Sequence, residues 1–539
     1  MSKAEWVGAW SEKRAALSPD RVGLVDAATD TEYTYADLDR RANRCARLLA
    51  DRGVARAASD RDERAGGRVA VVSRNRPEFV DLFFATGKTG GVLAPLSHRL
   101  AAPELAALLA AVDPPLVVVE EPFADLVGDA ADRDEWTADA PILSLPVGDD
   151  GDGGGTADGA TTWASYESAL PDDDSAFDGP VVDPGDPHLF LHTGGSTGTP
   201  KETVISHEAL VWNSVNTITA WGLRDDDVTP MVFPMFHTGG WNVLTLPLFH
   251  MGGTVVIDRE FDPGQILGVV EGRSATVLVA VPAVLRMMAD HDRWGDTDLS
   301  SLRFVKSGGG PCRESVMETW WDRGVDLSQG YGLTECGPNN FAMPDDWPRE
   351  KAHTVGVANV HVDARVVGDD GGELSAGEIG ELELRSLHAA DGYWDSPEES
   401  AETFGEWVST GDLARVDDEG YVSIEGRKKN MFVSGGENVY PAEVEDAVAD
   451  HPAVADAVVI PVADDQWGQV GKAVVELARE GDQPALDDLR EFLDDRLARF
   501  KHPRHLAVVD ELPTSGPDKI DREAVAASFG ERPDPPADR

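Results

Sequence analysis

Residues 68–95 place the tightest limit on what this chain can become. Residues 68–72 are a short apolar run rich in valine, residues 77–86 carry an apolar helix pattern opened by Pro77, and residues 91–95 are apolar again. Two strands joined through a helix make a βαβ unit, which requires a parallel sheet. Upstream, residues 22–25 have the character of a strand, and Thr34 with Asp37 three residues later predicts a capped helix start. Leu38, Ala42, Cys45 and Leu49 then recur on one helical face. Strand and helix patterns alternate again from residue 188 to beyond 330, so the fold class predicted is α/β.

A chain of 539 residues exceeds what one hydrophobic core supports, and two or more domains are expected. Residues 127–187 are rich in Asp, Gly, Pro and Ala and predict a long solvated connection or surface insertion. From about 355 to 425 the pattern changes to short strands and turns, as in successive hairpins. After "GRKKN" (426–430) a new unit begins, with a helix over 441–450, strands over 454–461 and 472–477, and an amphipathic helix over 486–500. Leu486, Leu489, Leu493, Leu497 and Phe500 form the expected buried face of that helix. No internal repeat is visible.

The charge is lopsided: 98 Asp and Glu against 47 Lys and Arg give −51, and only eleven of the cations are lysine. The acidity is spread along the whole chain. Such a surface repels nucleic acid and anionic membranes. It suits a salt-rich cytoplasm, where screening removes the self-repulsion. Cys45, Cys312 and Cys336 have no metal-ligand spacing and an odd count, which fits a reducing cytoplasmic setting without a disulfide framework. Residues 1–10 lack the basic-then-apolar pattern of a signal peptide. No run approaches the ~18 apolar residues of an integral membrane segment. Nothing in the sequence decides between a monomer and a homodimer.

Two glycine-bearing stretches could hold phosphate. Gly87-Lys88-Thr89 is rejected, because the phosphate-loop pattern needs a glycine five positions before Gly87 and Leu82 stands there. "TGGSTGTPKE" (193–202) follows the apolar Leu189-Phe190-Leu191. A strand feeding a loop of Gly, Ser and Thr offers backbone N–H groups, hydroxyls and one Lys to a polyphosphate. On its own this stretch could equally be a structural turn.

Four further stretches follow in order: "QGYGLTECGP" (329–338), "STGDLARVDDEGYVSIEGRKKN" (409–430), "SGGENVYPAEVE" (434–445) and "LPTSGPDKIDR" (512–522). With "TGGSTGTPK" they resemble the adenylate-forming superfamily, and within it the AMP-forming acyl-CoA synthetases, over residues 8 to 525. The resemblance implies a large N-terminal portion of two α/β subdomains plus a β-rich subdomain, followed by a small mobile α+β C-terminal domain. Residues 1–429 would be the adenylation domain, with its β-rich part at 355–425, and residues 430–539 the C-terminal domain. It implies a two-step reaction as well. A carboxylate attacks the α-phosphorus of ATP to give acyl-AMP and pyrophosphate, and coenzyme A then displaces AMP.

By the same resemblance, Thr193, Gly194, Gly195, Ser196, Thr197, Gly198 and Lys201 would hold the β- and γ-phosphates. Glu335 would be the Mg2+ ligand, with Thr193 as a second, and Thr334 would contact the α-phosphate. Asp412 and Arg427 would hold the ribose. Gly308, Gly309 and Gly310 would lie against adenine, with Tyr331 stacked on it. Lys519 would sit between the substrate carboxylate and the α-phosphate and stabilise the charge that develops there. The small domain would turn about Asn430 to present Ser434, Gly435, Gly436 and Glu437 to coenzyme A. His237 would gate entry of the thiol, and Phe236 and Trp241 would border the acyl pocket. Three residues depart from the family pattern: Glu202 where Gly is usual, Asn430 at the hinge, and Asp518 before the lysine. The expected activity is ligation of a fatty or other apolar acid to coenzyme A. The alternatives are transfer to a carrier protein or other acceptor, and a catalytically silent nucleotide-binding protein.

Overall fold

The computed structural model describes residues 6–56, 67–133, 136, 140–147, 163–193, 201–434, 437–464, 466–479, 483–494, 496–514 and 520–530. The fold is mixed α/β, and the chain divides into two compact units. One comprises residues 1–364 and 384–410, the other residues 365–383 and 411–539.

The first unit is built on an eight-stranded sheet. Val92–Leu96, Arg68–Val72, Leu116–Glu120, Ile142–Leu145 and Ala164–Ser165 run parallel in it. Its central strands are covered on both faces, which is why they read as unbroken apolar runs rather than alternating ones. The βαβ unit forms as its pattern requires, with helix Pro77–Thr89 wholly buried between the two strands. Gly90, at φ 71°, ends that helix in the left-handed region. Gly87-Lys88-Thr89 is therefore helix, and the Lys88 ammonium meets Asp39 at 2.8 Å inside the protein. Thr34 and Asp37 make the expected reciprocal cap on helix Tyr35–Asp51, and Leu38, Ala42, Cys45 and Leu49 are buried.

Three further sheets belong to this unit among the described residues, the smallest being the antiparallel pair Phe341–Ala342 and Val357–Ala358. Val228–Met231, Thr254–Ile257 and Val22–Asp26 run parallel, with Thr31–Thr34 antiparallel at the edge. Val277–Ala280, Phe304–Ser307 and Leu327–Gln329 form a parallel three-stranded sheet over a core holding Leu267, Leu285, Met317 and Trp320.

Residues 127–187 differ from the solvated connection expected. Within that range lie the end of helix Ala124–Ala131 and the strands Ile142–Leu145 and Ala164–Ser165, with Val127, Trp136, Leu143, Leu145 and Tyr166 buried. Those few apolar residues anchor the segment to the sheet edge, and the Asp and Gly around them dilute the signal. Residues 355–425 also depart from an all-strand pattern, because Pro397–Thr403 is helical.

In the second unit, strands Val454–Asp464 and Gly468–Leu477 form a long antiparallel ladder, with His505–Val509 parallel to the latter. Val444, Val448, Val459, Val475, Leu489 and Leu493 pack beneath them. The helix expected over 486–500 ends at Leu493, and Phe500 is 39 % exposed. Asp494 and Asp495 follow directly, and anions at a helix C-terminus oppose its dipole. Among the described residues, no helix is long and apolar enough to cross a membrane.

Candidate active site

Strands Pro187–Thr193 and Lys201–Ser206 pair antiparallel in the first unit, and Thr193 faces Lys201 at the end of the ladder. Gly194, Gly195, Ser196, Thr197 and Gly198 lie between them, outside the described residues. The Lys201 ammonium pairs with Glu399 at 2.8 Å and lies 5.3 Å from the centre of the Tyr393 ring. That contact holds the Glu399 carboxyl below its ordinary range. The Tyr393 hydroxyl donates to Glu335 Oε1 at 3.0 Å. Burial, and then the Glu335 charge, push the phenol up, so it stays a donor. Strand Gly392–Tyr393 carries this residue to the edge of strand Lys201–Ser206, with Tyr393 opposite Thr203.

The segments 307–312 and 329–338 are neighbours because their strands are. Ser307 and Gln329 are register partners at the carboxyl ends of parallel strands, where open α/β sheets bind ligands. The Gly330 N–H donates to the Ser307 carbonyl at 2.7 Å, and the Cys312 N–H donates to Gln329 Oε1 at 2.8 Å. Gly309 and Gly310 are exposed, and among the described residues, chain neighbours aside, none lies within 4 Å of a Cβ built at Gly308 or Gly310. Backbone there is open to a flat ring. Tyr331 packs edge-on against Phe341, and Thr334 and Glu335 are half-buried in the turn that follows.

His237 is exposed on a turn, 4.5 Å between ring centres from Phe236 and 6.1 Å from His192. Burial pushes the His192 imidazole down to about 4, which leaves it neutral at pH 7. Gly240 is required in this turn, since a Cβ there would lie 2.5 Å from the Pro234 carbonyl oxygen. Phe236 is buried beside His98. Trp241 is fully buried, stacked on Phe83 at 4.8 Å, and its indole N–H donates to the Met235 carbonyl.

In the second unit, Asp412 and Arg427 are register partners on strands Val408–Val416 and Val422–Arg427, and they form an ion pair of 2.8 Å. Asp412 is almost buried while Arg427 is half-exposed. Gly411, next to the aspartate in the same strand, takes φ 69°, in the left-handed region that favours glycine. Asn430 lies in the short helical turn Lys428–Asn430. Ser434 is buried and pairs with exposed Glu437, and Gly435 and Gly436 lie outside the described residues. Thr514 and Ile520 pair with one another, and Asp518 and Lys519 between them lie outside the described residues.

Residues 11–394 match the model of the AMP-binding enzymes. The chain belongs to this family. Residues 443–519 match the model of the AMP-binding enzyme C-terminal domain. This AMP-binding enzyme is 36 % identical to a feruloyl-CoA synthase of an Amycolatopsis species, over 97 % of this chain and 99 % of the relative. It is 35 % identical to an indoleacetate–CoA ligase of Aromatoleum aromaticum, over 96 % of each. The ATP-bound crystal structure of MatB from Rhodopseudomonas palustris matches 98 % of the chain, covering 99 % of its own, with a TM-score of 0.86 at 28 % identity.

Two features of the AMP-binding enzyme escape the sequence reading. Tyr393 joins Lys201 to Glu335, yet a single tyrosine in "DGYWDS" (391–396) carries no local signature. Glu202 is present in the sequence as a departure, but its environment is not. The side chain is 3 % exposed, and among the described residues neither carboxyl oxygen has a hydrogen-bond partner. Burial pushes it up to about 8, so it is largely protonated at neutral pH.

Proposed function

We propose that this AMP-forming acyl-CoA synthetase activates a fatty or other apolar carboxylic acid, aromatic acids included, and hands it to coenzyme A. The observation that carries the reading is the alignment of the 193–201 hairpin with Glu335 through Tyr393, within a chain that matches acyl-CoA ligases over nearly its full length. Thr193, Lys201 and the loop between them neutralise the β- and γ-phosphates. Glu335 and Thr193 are hard oxygen donors suited to Mg2+ shared with phosphate oxygens, and the hydrogen bond from Tyr393 orients the carboxylate. Thr334 contacts the α-phosphate, Gly308, Gly309, Gly310 and Tyr331 take the adenine, and Asp412 with Arg427 takes the ribose. Lys519 draws the two reacting anions together. Ser434, Gly435, Gly436 and Glu437 border the pantetheine, with Asn430 as the hinge, and His237 guards the thiol's approach. The feruloyl and indoleacetate relatives act on aromatic acids by their names, which supports an apolar acyl pocket near Phe236 and Trp241.

The test is ATP–pyrophosphate exchange with a panel of aromatic, medium-chain and long-chain acids, in concentrated KCl with Mg2+. Acid-dependent exchange is expected, followed by thioester formation when coenzyme A is added. Exchange with no acid in the panel overturns the reading. Activity with a carrier-protein thiol and none with coenzyme A replaces it with the carrier-loading alternative.

A further inference from the structure

Two sheets of the first unit meet at the His237 turn, and one asparagine joins them there. Asn75 follows strand Arg68–Val72 of the eight-stranded sheet, while Phe233, Met235 and His237 follow strand Val228–Met231 of the four-stranded sheet. The Asn75 amide nitrogen donates to the Phe233 carbonyl at 3.0 Å, and the Met235 N–H donates to Asn75 Oδ1 at 2.8 Å. The two bonds fix the amide's orientation, since a carbonyl is met only by the NH2 and an N–H only by the oxygen. One side chain thus satisfies the backbone at 233–235 as a neighbouring strand would.

Asn75 is itself held from both sheets. Arg259 Nη1 donates to the Asn75 carbonyl at 3.2 Å and to Asp26 Oδ1 at 2.9 Å, and its Nη2 donates to Asp26 Oδ2 at 2.8 Å. Asp26 is buried at the end of strand Val22–Asp26, so salt screens this pair weakly. On the other sheet, the Arg74 N–H and Nη2 donate to Glu120 at 2.9 and 2.7 Å. Beyond the clamp, the His237 N–H donates to the Pro234 carbonyl at 3.1 Å, and the Gly240 N–H donates to the His237 carbonyl at 3.0 Å. Met235 and Phe236 are buried while the His237 side chain is exposed. The place of the imidazole is therefore set by a backbone that Asn75 anchors.

We infer that Asn75 is a positioning residue for the second half-reaction: it holds the 233–237 turn so that His237 stands where the thiol of coenzyme A approaches. It acts through His237 rather than on a reactant. The inference rests on the ligase reading above and adds the group that places its thiol gate. The clamp lies at the carboxyl ends of parallel strands, where open α/β sheets gather ligands. A displacement of about 1 Å that begins far from the chemistry can cost roughly a hundredfold in rate.

Two variants of the full chain test it. Asn75→Ala removes both bonds, and Asn75→Asp keeps the acceptor and loses the donor. One assay follows thioester formation from the AMP ester of whichever panel acid gives the fastest exchange, and the other is pyrophosphate exchange itself. For Asn75→Ala, kcat/KM for coenzyme A should fall about tenfold or more, and the KM for ATP should stay within about twofold. Asn75→Asp should lose at least about threefold in kcat/KM for coenzyme A, and it is read alone if Asn75→Ala does not fold. In a His237→Ala background, the same change at Asn75 should alter kcat/KM for coenzyme A by less than about twofold, because the group it positions is gone. A merely structural role gives an equal loss in both backgrounds, or a matching rise in the KM for ATP, and either result overturns the inference. An unchanged kcat/KM for coenzyme A also overturns it. Thioester formation at the parental rate in His237→Ala alone removes the gate and this inference while the ligase reading stands. A parent chain that gives neither exchange nor thioester removes all three.

Discussion

The Tyr393 hydroxyl donates to Glu335 Oε1 across 3.0 Å while the face of the same ring lies 5.3 Å from Lys201 Nζ. One side chain thus connects the carboxylate assigned to the metal with the ammonium assigned to the phosphates. Tyr393→Phe deletes the hydroxyl and keeps the ring, whose packing on Phe404 should hold the fold. A hydrogen bond to a charged group contributes about 1.5–3 kcal/mol, so kcat/KM for ATP should fall roughly 10- to 100-fold. The magnesium concentration for half-maximal exchange should rise as well. An unchanged magnesium dependence would remove Tyr393 from the site.

Glu202 gives a pH prediction of definite sign. Its folded value of about 8 lies above the ordinary glutamate range near 4.3, so the folded state holds the proton more tightly than the unfolded one. Stability is then lost as pH rises from that range through 8. Glu202→Gln, which cannot ionise, should be more stable than the parent at pH 9 by roughly 1–4 kcal/mol, with the gap narrowing towards pH 5. Urea midpoints at fixed KCl across this range measure it. Parallel pH profiles for the two proteins would mean that Glu202 finds a partner in solution.

Salt should act through the surface rather than the interior. Arg41–Asp81, Arg74–Glu120 and Arg303–Asp227 each hold a carboxylate that is 1 % exposed, so screening reaches them weakly. The net charge of −51 is repulsive, and that repulsion falls off as the screening length drops from ~10 Å at 0.1 M to ~3 Å at 1 M. The unfolding temperature should rise by at least about 5 °C between 0.1 M and 2 M KCl. A flat or falling curve would show that the acidity has no bearing on stability.

What could be read from the sequence was what repeats or clusters along it. The βαβ unit at 68–96 is legible because strands buried on both faces leave uninterrupted apolar runs. The cap at Thr34 is legible because its partner is three residues away. The segment 127–187 differs from the solvated connection expected because Trp136 is buried alone among acidic residues and the short apolar run at 142–145 is embedded in a stretch rich in Asp and Gly. A group of buried asparagines in the first unit has no sequence signal at all. Positions 213, 216, 242, 339 and 359 meet only after four stretches of chain have folded together. Glu202 shows the same limit: its identity was visible, but its burial depends on neighbours that the linear order does not name.

The division of labour at Lys519 bears most directly on the two-step mechanism. The measurement compares the parent chain with Lys519→Ala in both half-reactions: pyrophosphate exchange with an accepted acid, and conversion of supplied acyl-AMP to thioester by coenzyme A. The account predicts loss of exchange by about a thousandfold or more, since a charge placed at the transition state is removed, with thioester formation from acyl-AMP retained. Exchange at the parental rate, or equal loss of both half-reactions, would contradict it.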